Sequence, residues 1–190
     1  MLLASSSLIS LPIMSLQVGK EVARTSRAVV DPADLSIIAY EVSGPRLDNT
    51  PSFLRIEDVR ELSDIGFIID SSDELIGLDD IVNNKAVYES DFELTGMKVL
   101  DEKRKKLGKI SHTTLDPKTF MIEQLNVEVP FFKSFGDTEL LVHRKQIIEI
   151  NDNEIIVRRP TIKAQQETAK NQFVNPFRKP TEAQPEAIDQ

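Results

Sequence analysis

The chain has 190 residues with 23 Lys and Arg against 31 Asp and Glu, a formal net charge of -8, two His and no Cys. That length suits one ordinary domain or two small ones. The missing cysteine excludes disulfides, thiolate metal sites and a cysteine nucleophile, and the acidic balance argues against a general nucleic-acid binder, which needs many cationic contacts to phosphate. The acid is uneven, however: Glu57 to Glu93 holds 12 acidic and 2 basic side chains, whereas Lys98 to Lys109 holds 6 basic and 2 acidic.

At the amino terminus Ser5 to Ser7 interrupt a short apolar run that lacks a basic lead, so the segment reads as structure rather than a secretion signal. Ile9, Leu11 and Ile13 alternate as in a half-buried strand. No run of about 18 apolar residues follows anywhere, so no helix is expected to span a membrane. Asp31-Pro32 reads as a turn, because Pro32 fixes its own φ and Asp31 can bond the backbone two residues on. Ile38, Tyr40 and Val42 then fall on one face of a strand, with Ile37, Ala39 and Glu41 on the other. Gly44-Pro45 ends it, a polar loop leads to Phe53-Leu54, and Val59 to Ile69 reads as strand, polar turn and strand. Residues 70–90 are an acidic connector in which Leu78, Ile81 and Val82 have the spacing of one or two helical turns, with a solvated acidic face.

The second half opens with a hairpin. One strand ends near Leu100, a charged tip holds Lys103, Arg104, Lys105 and Lys106, and a second strand starts at Leu107. Ile110 and Leu115 are five apart, so a bulge between them is needed to turn both to the core. Asp116 to Phe132 then repeats Asp31 to Leu47 without a gap, both reading D-P-x-x-[LF]-x-I-x-x-[YL]-x-V-x-x-P-x-[LF]. Ile147 to Val157 likewise answers Val59 to Ile69. The copies are offset by 85 residues at the turn and by 88 at the close, and the three extra residues fall in the loop after Pro130. From 161 onward the chain is polar, with too little apolar surface to offset its ordering entropy, and a disordered tail is expected over 161–190.

Gly96-x-x-Val99-x-Asp101, followed by Leu107-Gly108-x-Ile110 and Leu115-Asp116, resembles the PRC-barrel family. Its small all-β barrel occurs in the cytoplasmic part of the photosynthetic reaction-centre H subunit and in ribosome maturation factors. The resemblance implies an all-β fold with two tandem barrels, over 8–69 and 91–160, joined by the connector 70–90 and followed by the tail. Arg104 stands where the family usually has a turn glycine, which is awkward if φ is positive there. With Gly19-Lys20-Glu21-Val22 laid on Gly96 to Val99, the first hairpin is eight residues shorter than the second.

No set of residues is arranged for a reaction. His112 and His143 each sit on an expected strand without a second ligand type at metal spacing. No serine nucleophile elbow or glycine-rich phosphate loop occurs, and the carboxylates lie in charge-rich, solvated segments. The expectation is a cytoplasmic, non-catalytic adaptor for another protein, without cofactor or metal. RNA or a ribosomal protein is the alternative partner, and an enzyme or metal site using the histidine pair is a further alternative. Two features are candidate contacts: Phe131, Phe132 and Phe135 in the loop after Pro130, and the tip Lys103, Arg104, Lys105 and Lys106. The first also reads as a barrel plug and the second as an edge-protecting charge cluster.

Overall fold

Short apolar runs between turn residues fold into strands throughout the computed structural model, which describes residues 1–45, 47–81, 83, 85–129, 139–151 and 153–158. In chain order the first half contains β1 (Leu3–Ala4), a 3-10 turn (Ser5–Leu8), β2 (Pro12–Ser15), β3 (Lys20–Val30), β4 (Ile37–Ser43), β5 (Ser52–Arg55), β6 (Glu61–Ser63) and β7 (Gly66–Ile69). Then follow β8 (Leu75–Gly77), a 3-10 turn (Leu78–Asp80) and the helix α1 (Lys85–Glu89). The second half contains β9 (Lys98–Asp101), β10 (Lys106–Asp116), β11 (Met121–Glu128), β12 (Glu139–His143), β13 (Ile147–Ile150) and β14 (Glu154–Val157). The expected tail over 161–190 and the loop carrying Phe131, Phe132 and Phe135 lie outside the described residues.

The strands form two sheets with one strand order. The first runs β6-β7-β2-β3-β4-β5 and the second β13-β14-β9-β10-β11-β12. In each, the opening strand lies parallel to the closing one, Ile13 opposite Phe67 and Val99 opposite Ile155, while the remaining neighbours are antiparallel. Each sheet also carries the same two bulges. On β3 and β10 the extra residues are Ser26 and Ser111, and on β4 and β11 they are Ile38 and Glu123. The Ser111 bulge turns both Ile110 and Leu115 inward, where they are buried. Val42 and Val127, 85 residues apart, are buried opposite Thr25 and Ile110.

Each sheet borrows a further strand. β8 pairs with the outer edge of β5, and β1 reaches across from the amino terminus to pair with β10. The two Asp-Pro turns meet at a short antiparallel bridge between Ser36 and Met121. One apolar cluster consequently runs through both sheets, including Tyr40, Leu54 and Phe67 from the first and Ile110, Leu125 and Ile155 from the second. Phe67 and Phe120 stack across it with ring centroids 6.1 Å apart. A smaller cluster lies on the opposite face of the first sheet, where Ile81 and Tyr88 from the connector cover Val29, Ala39 and Phe53.

Three details differ from the sequence reading. Residues 5–8 are a 3-10 turn and the opening strand is confined to Pro12–Ser15, because Ser10 takes a positive φ of 62° and its N–H donates to Thr25 O. The first hairpin is not shortened. Gly19, with φ 69°, sits in the turn between β2 and β3, so Ile13 rather than Val22 is the counterpart of Val99. Finally, the bulge at Ile38 breaks the alternation of β4, so Ile37 joins the core with Tyr40 and Val42, and Ile38 packs with Ala39 on the other side.

Candidate interaction surfaces

The basic tip is a built turn rather than a loose loop. Asp101 ends β9 and is 5% exposed, and its Oδ1 accepts the N–H groups of Lys103 and Lys105, both at 2.9 Å. The backbone closes below it, with Arg104 N–H donating to Asp101 O at 2.8 Å and Asp101 N–H to Lys105 O at 2.9 Å. This geometry puts Arg104 at φ 59°, the left-handed region that a turn glycine would occupy without strain. Arg104 also reaches Glu154 at 3.2 Å, and Glu102 lies 3.8 Å from Arg158. Lys103, Lys105 and Lys106 are exposed and, among the described residues, have no carboxylate within ion-pair distance.

Register places a further row of charge at the end of the β9–β10 hairpin away from the tip. Reading across the second sheet, Glu154 lies opposite Lys98, Lys98 opposite Lys109, Lys109 opposite Glu128, and Glu128 opposite Glu139. The two lysines are thus flanked by acid on either side. Like charges directly opposite are unfavourable and unlike charges favourable, so the row balances itself only as a whole. Spacing along the chain gave no sign of this row, because its five members come from five strands.

The histidines go to separate carboxylates. His112 Nδ1 is 3.4 Å from Glu139 Oε1, and His143 Nε2 is 3.4 Å from Glu123 Oε2. His143 also caps the 3-10 turn after β12, its Nδ1 accepting Lys145 N–H at 3.2 Å. Among the described residues no group of three or more His, Asp or Glu is arranged to hold a metal ion, and no helix is long and apolar enough to cross a membrane.

Two of the cavities beside the sheets are lined by charged side chains. A groove of about 550 Å³ runs between β3 and β10, lined by the equivalent residues Ser26 and Ser111, and Arg27 and His112. Arg27 is tied to Glu41 at 3.0 Å and donates to Ser90 O at 3.2 Å. The other cavity, about 630 Å³, lies between the first sheet and the connector and is bounded by Ile38, Arg55, Ile76 and Tyr88. There Arg55 grips both oxygens of Asp58, at 2.6 and 2.9 Å, and that hydrogen bonding raises the guanidinium pKa. Burial in turn raises the pKa of Tyr88.

Residues 87–163 match the PRC-barrel domain family. The matched stretch contains β9 to β14, the bulged β10 and the Asp101 turn, so the similarity to that family falls on the second half of the chain. No curated protein matches the chain.

Proposed function

We propose that the chain is a tandem PRC-barrel protein, with barrels over 8–69 and 91–160, that works in the cytoplasm as a non-catalytic adaptor for another protein. The tandem reading is supported by the shared strand order, the paired bulges and the two Asp-Pro turns. The observation that carries the adaptor reading is the use made of the buried polar side chains. Thr25 Oγ1 donates to Leu8 O at 2.6 Å and accepts Leu11 N–H at 3.0 Å. Ser15 accepts Val18 N–H, Ser52 holds Asn49 O, Asp101 holds the basic tip, and Thr113 bonds Ser5. Each of these five groups fixes a strand or a turn, while the Tyr40 hydroxyl and Asn126 Oδ1 are the buried polar atoms left without a partner among the described residues. A frame of this kind supports function through the surface it displays.

The alternative partner, RNA or a ribosomal protein, is favoured by one observation: three exposed lysines stand on a turn whose backbone is already fixed, which lowers the ordering cost of gripping phosphate.

Both readings are tested by partner capture and RNA retention with the whole chain and two variants, after circular dichroism has shown that each variant folds. Replacing Phe131, Phe132 and Phe135 by Ser removes a stoichiometric protein partner if the adaptor reading holds, because buried aromatics dominate interface energy. Replacing Lys103, Arg104, Lys105 and Lys106 by Glu leaves that partner bound. Loss of RNA in the second variant, with wild-type binding that falls steeply as salt rises, selects the RNA reading instead. Retention of every partner by both folded variants overturns both assignments.

A further inference from the structure

We propose that two copies of this chain pair edge to edge through β12, antiparallel, about a twofold axis at Leu141. This surface is separate from the adaptor reading and does not depend on it. Among the described residues β12 pairs with β11 alone. The equivalent edge of the first sheet is occupied: β8 lies antiparallel on β5 through Ser52 opposite Gly77, Phe53 opposite Ile76 and Leu54 opposite Leu75. Ser52 faces Val42 just as Leu140 faces the equivalent Val127, so the counterparts on β12 are Leu140, Leu141 and Val142. This sheet edge therefore accommodates an antiparallel neighbour at those three residues. Phe53 is 1% exposed beneath the connector, whereas its counterpart Leu141 is 51% exposed.

The backbone polarity of the edge fits. His143 N–H donates to Gln146 Oε1 at 2.8 Å rather than to β11, and the β11–β12 register is unbroken from 139 to 143. By alternation the N–H and C=O of Leu141 also face away from β11 and are set for a ladder pair. The residues of β12 are then self-complementary. An axis at Leu141 sets Leu141 opposite Leu141 of the partner subunit, Leu140 opposite the partner's Val142, and Glu139 opposite the partner's His143. On the outer face the sequence Glu, Leu, His meets His, Leu, Glu, so each end brings a carboxylate beside an imidazole, in addition to the contacts that Glu139 makes with His112 and His143 with Glu123 within the chain, each at 3.4 Å. Axes at either end of the strand instead set Glu against Glu or His against His. Neither Lys nor Pro, the residues that commonly blunt an exposed edge, occurs in Glu139–His143. The occupant favoured by this pattern is a second copy.

Sedimentation velocity of the whole chain over a concentration series tests the pairing. A contact this small lies at the weak end of interfaces, so reversible dimerisation that grows with concentration is expected. Leu141→Lys, which sets two ammonium groups against each other at the axis, abolishes it. Glu139→Lys and His143→Asp each weaken association, the second by about tenfold, since each removes two cross-strand pairs and His143→Asp also sets two carboxylates against Glu139 of the partner subunit. Asp at 143 retains an acceptor for Lys145 N–H. The double variant sets Lys against Asp in this register and restores association. A chain that stays monomeric at every concentration overturns the proposal, as does a dimer indifferent to Leu141→Lys or a double variant weaker than either single one. Amide exchange at Leu141 in the unmodified chain gives a second reading independent of variant folding. Protection that rises with protein concentration supports the pairing, and protection that is constant on dilution overturns it.

Discussion

Leu35 and Phe120, 85 residues apart, exchange backbone contacts across the two sheets: Ile122 N–H donates to Leu35 O at 3.0 Å, and Ile37 N–H donates to Phe120 O at 2.9 Å. Both residues hold a positive φ, 62° and 54°, and both close the same turn, with Leu35 N–H bonding Asp31 O and Phe120 N–H bonding Asp116 O, each at 2.8 Å. The repeated turns thus form a local twofold joint, and the strain of two left-handed non-glycine residues is offset by burying both side chains.

Phe120→Ala removes the ring that stacks on Phe67 of the other sheet and should cost about 3 to 5 kcal/mol. Because one core serves both sheets, chemical denaturation should show a single transition shifted to lower denaturant. A variant in which one sheet unfolds well before the other would show that the joint is not a cooperative link.

Tyr40 is fully buried, and its hydroxyl has no hydrogen-bond partner among the described residues. Tyr40→Phe removes that unpaired group while keeping the ring beside Phe67, and should raise stability by about 1 kcal/mol. Burial also pushes the Tyr40 pKa well above its ordinary value. The contribution linked to this shift is complete below the unfolded pKa of about 10 and is lost as pH rises above it, when only the unfolded chain ionises readily. Thermal melts between neutral pH and strong alkali should accordingly fall less steeply in the Phe variant than in the wild type. Equal slopes would show that Tyr40 does not govern the alkaline limb.

Val42→Ala and Val127→Ala should each cost about 1 to 3 kcal/mol through lost burial and the cavity left behind. Their equivalence in register predicts similar values. A cost at one site and none at the other would mean that the surrounding core has diverged despite the repeated pattern.

Much of this was legible in sequence because the two Asp-Pro segments, matched without a gap, check each other. The Asp-Pro turns fix the register of Val42 against Val127, and the five-residue step from Ile110 to Leu115 calls for a bulge between them, which the structure puts at Ser111. The same comparison failed where a local likeness was accidental. Gly19 and Gly96 both start a Gly-x-x-Val run, yet Gly19 turns the first hairpin while Gly96 precedes β9. What joins the halves was not legible either. The bonds between Leu35 and Ile122 are made by backbone, which carries no residue signature, and β1 and β8 are two and three residues long, below the length at which alternation shows. The row of charges from Glu154 to Glu139 and the exposure of Leu141 depend on strand order, which no single segment encodes.

Asp101 and Arg104 offer a test of how the basic tip is held. Asp101→Ala leaves two turn amides without an acceptor and should cost about 1 to 2 kcal/mol, with faster amide exchange at Lys103 and Lys105. Asp101→Asn keeps an oxygen at the same place without the charge and should fall between. Arg104→Gly acts in the opposite direction: relief of the left-handed φ is worth about 1 kcal/mol, more than the exposed pair with Glu154 contributes, since pairs of that kind give about 0 to 1 kcal/mol. The glycine variant should therefore melt slightly higher than the wild type while the tip amides remain protected. If it melts lower, the Arg104–Glu154 contact between the tip and β14 outweighs the backbone strain, and the turn is pinned to the sheet by its side chain rather than by Asp101 alone.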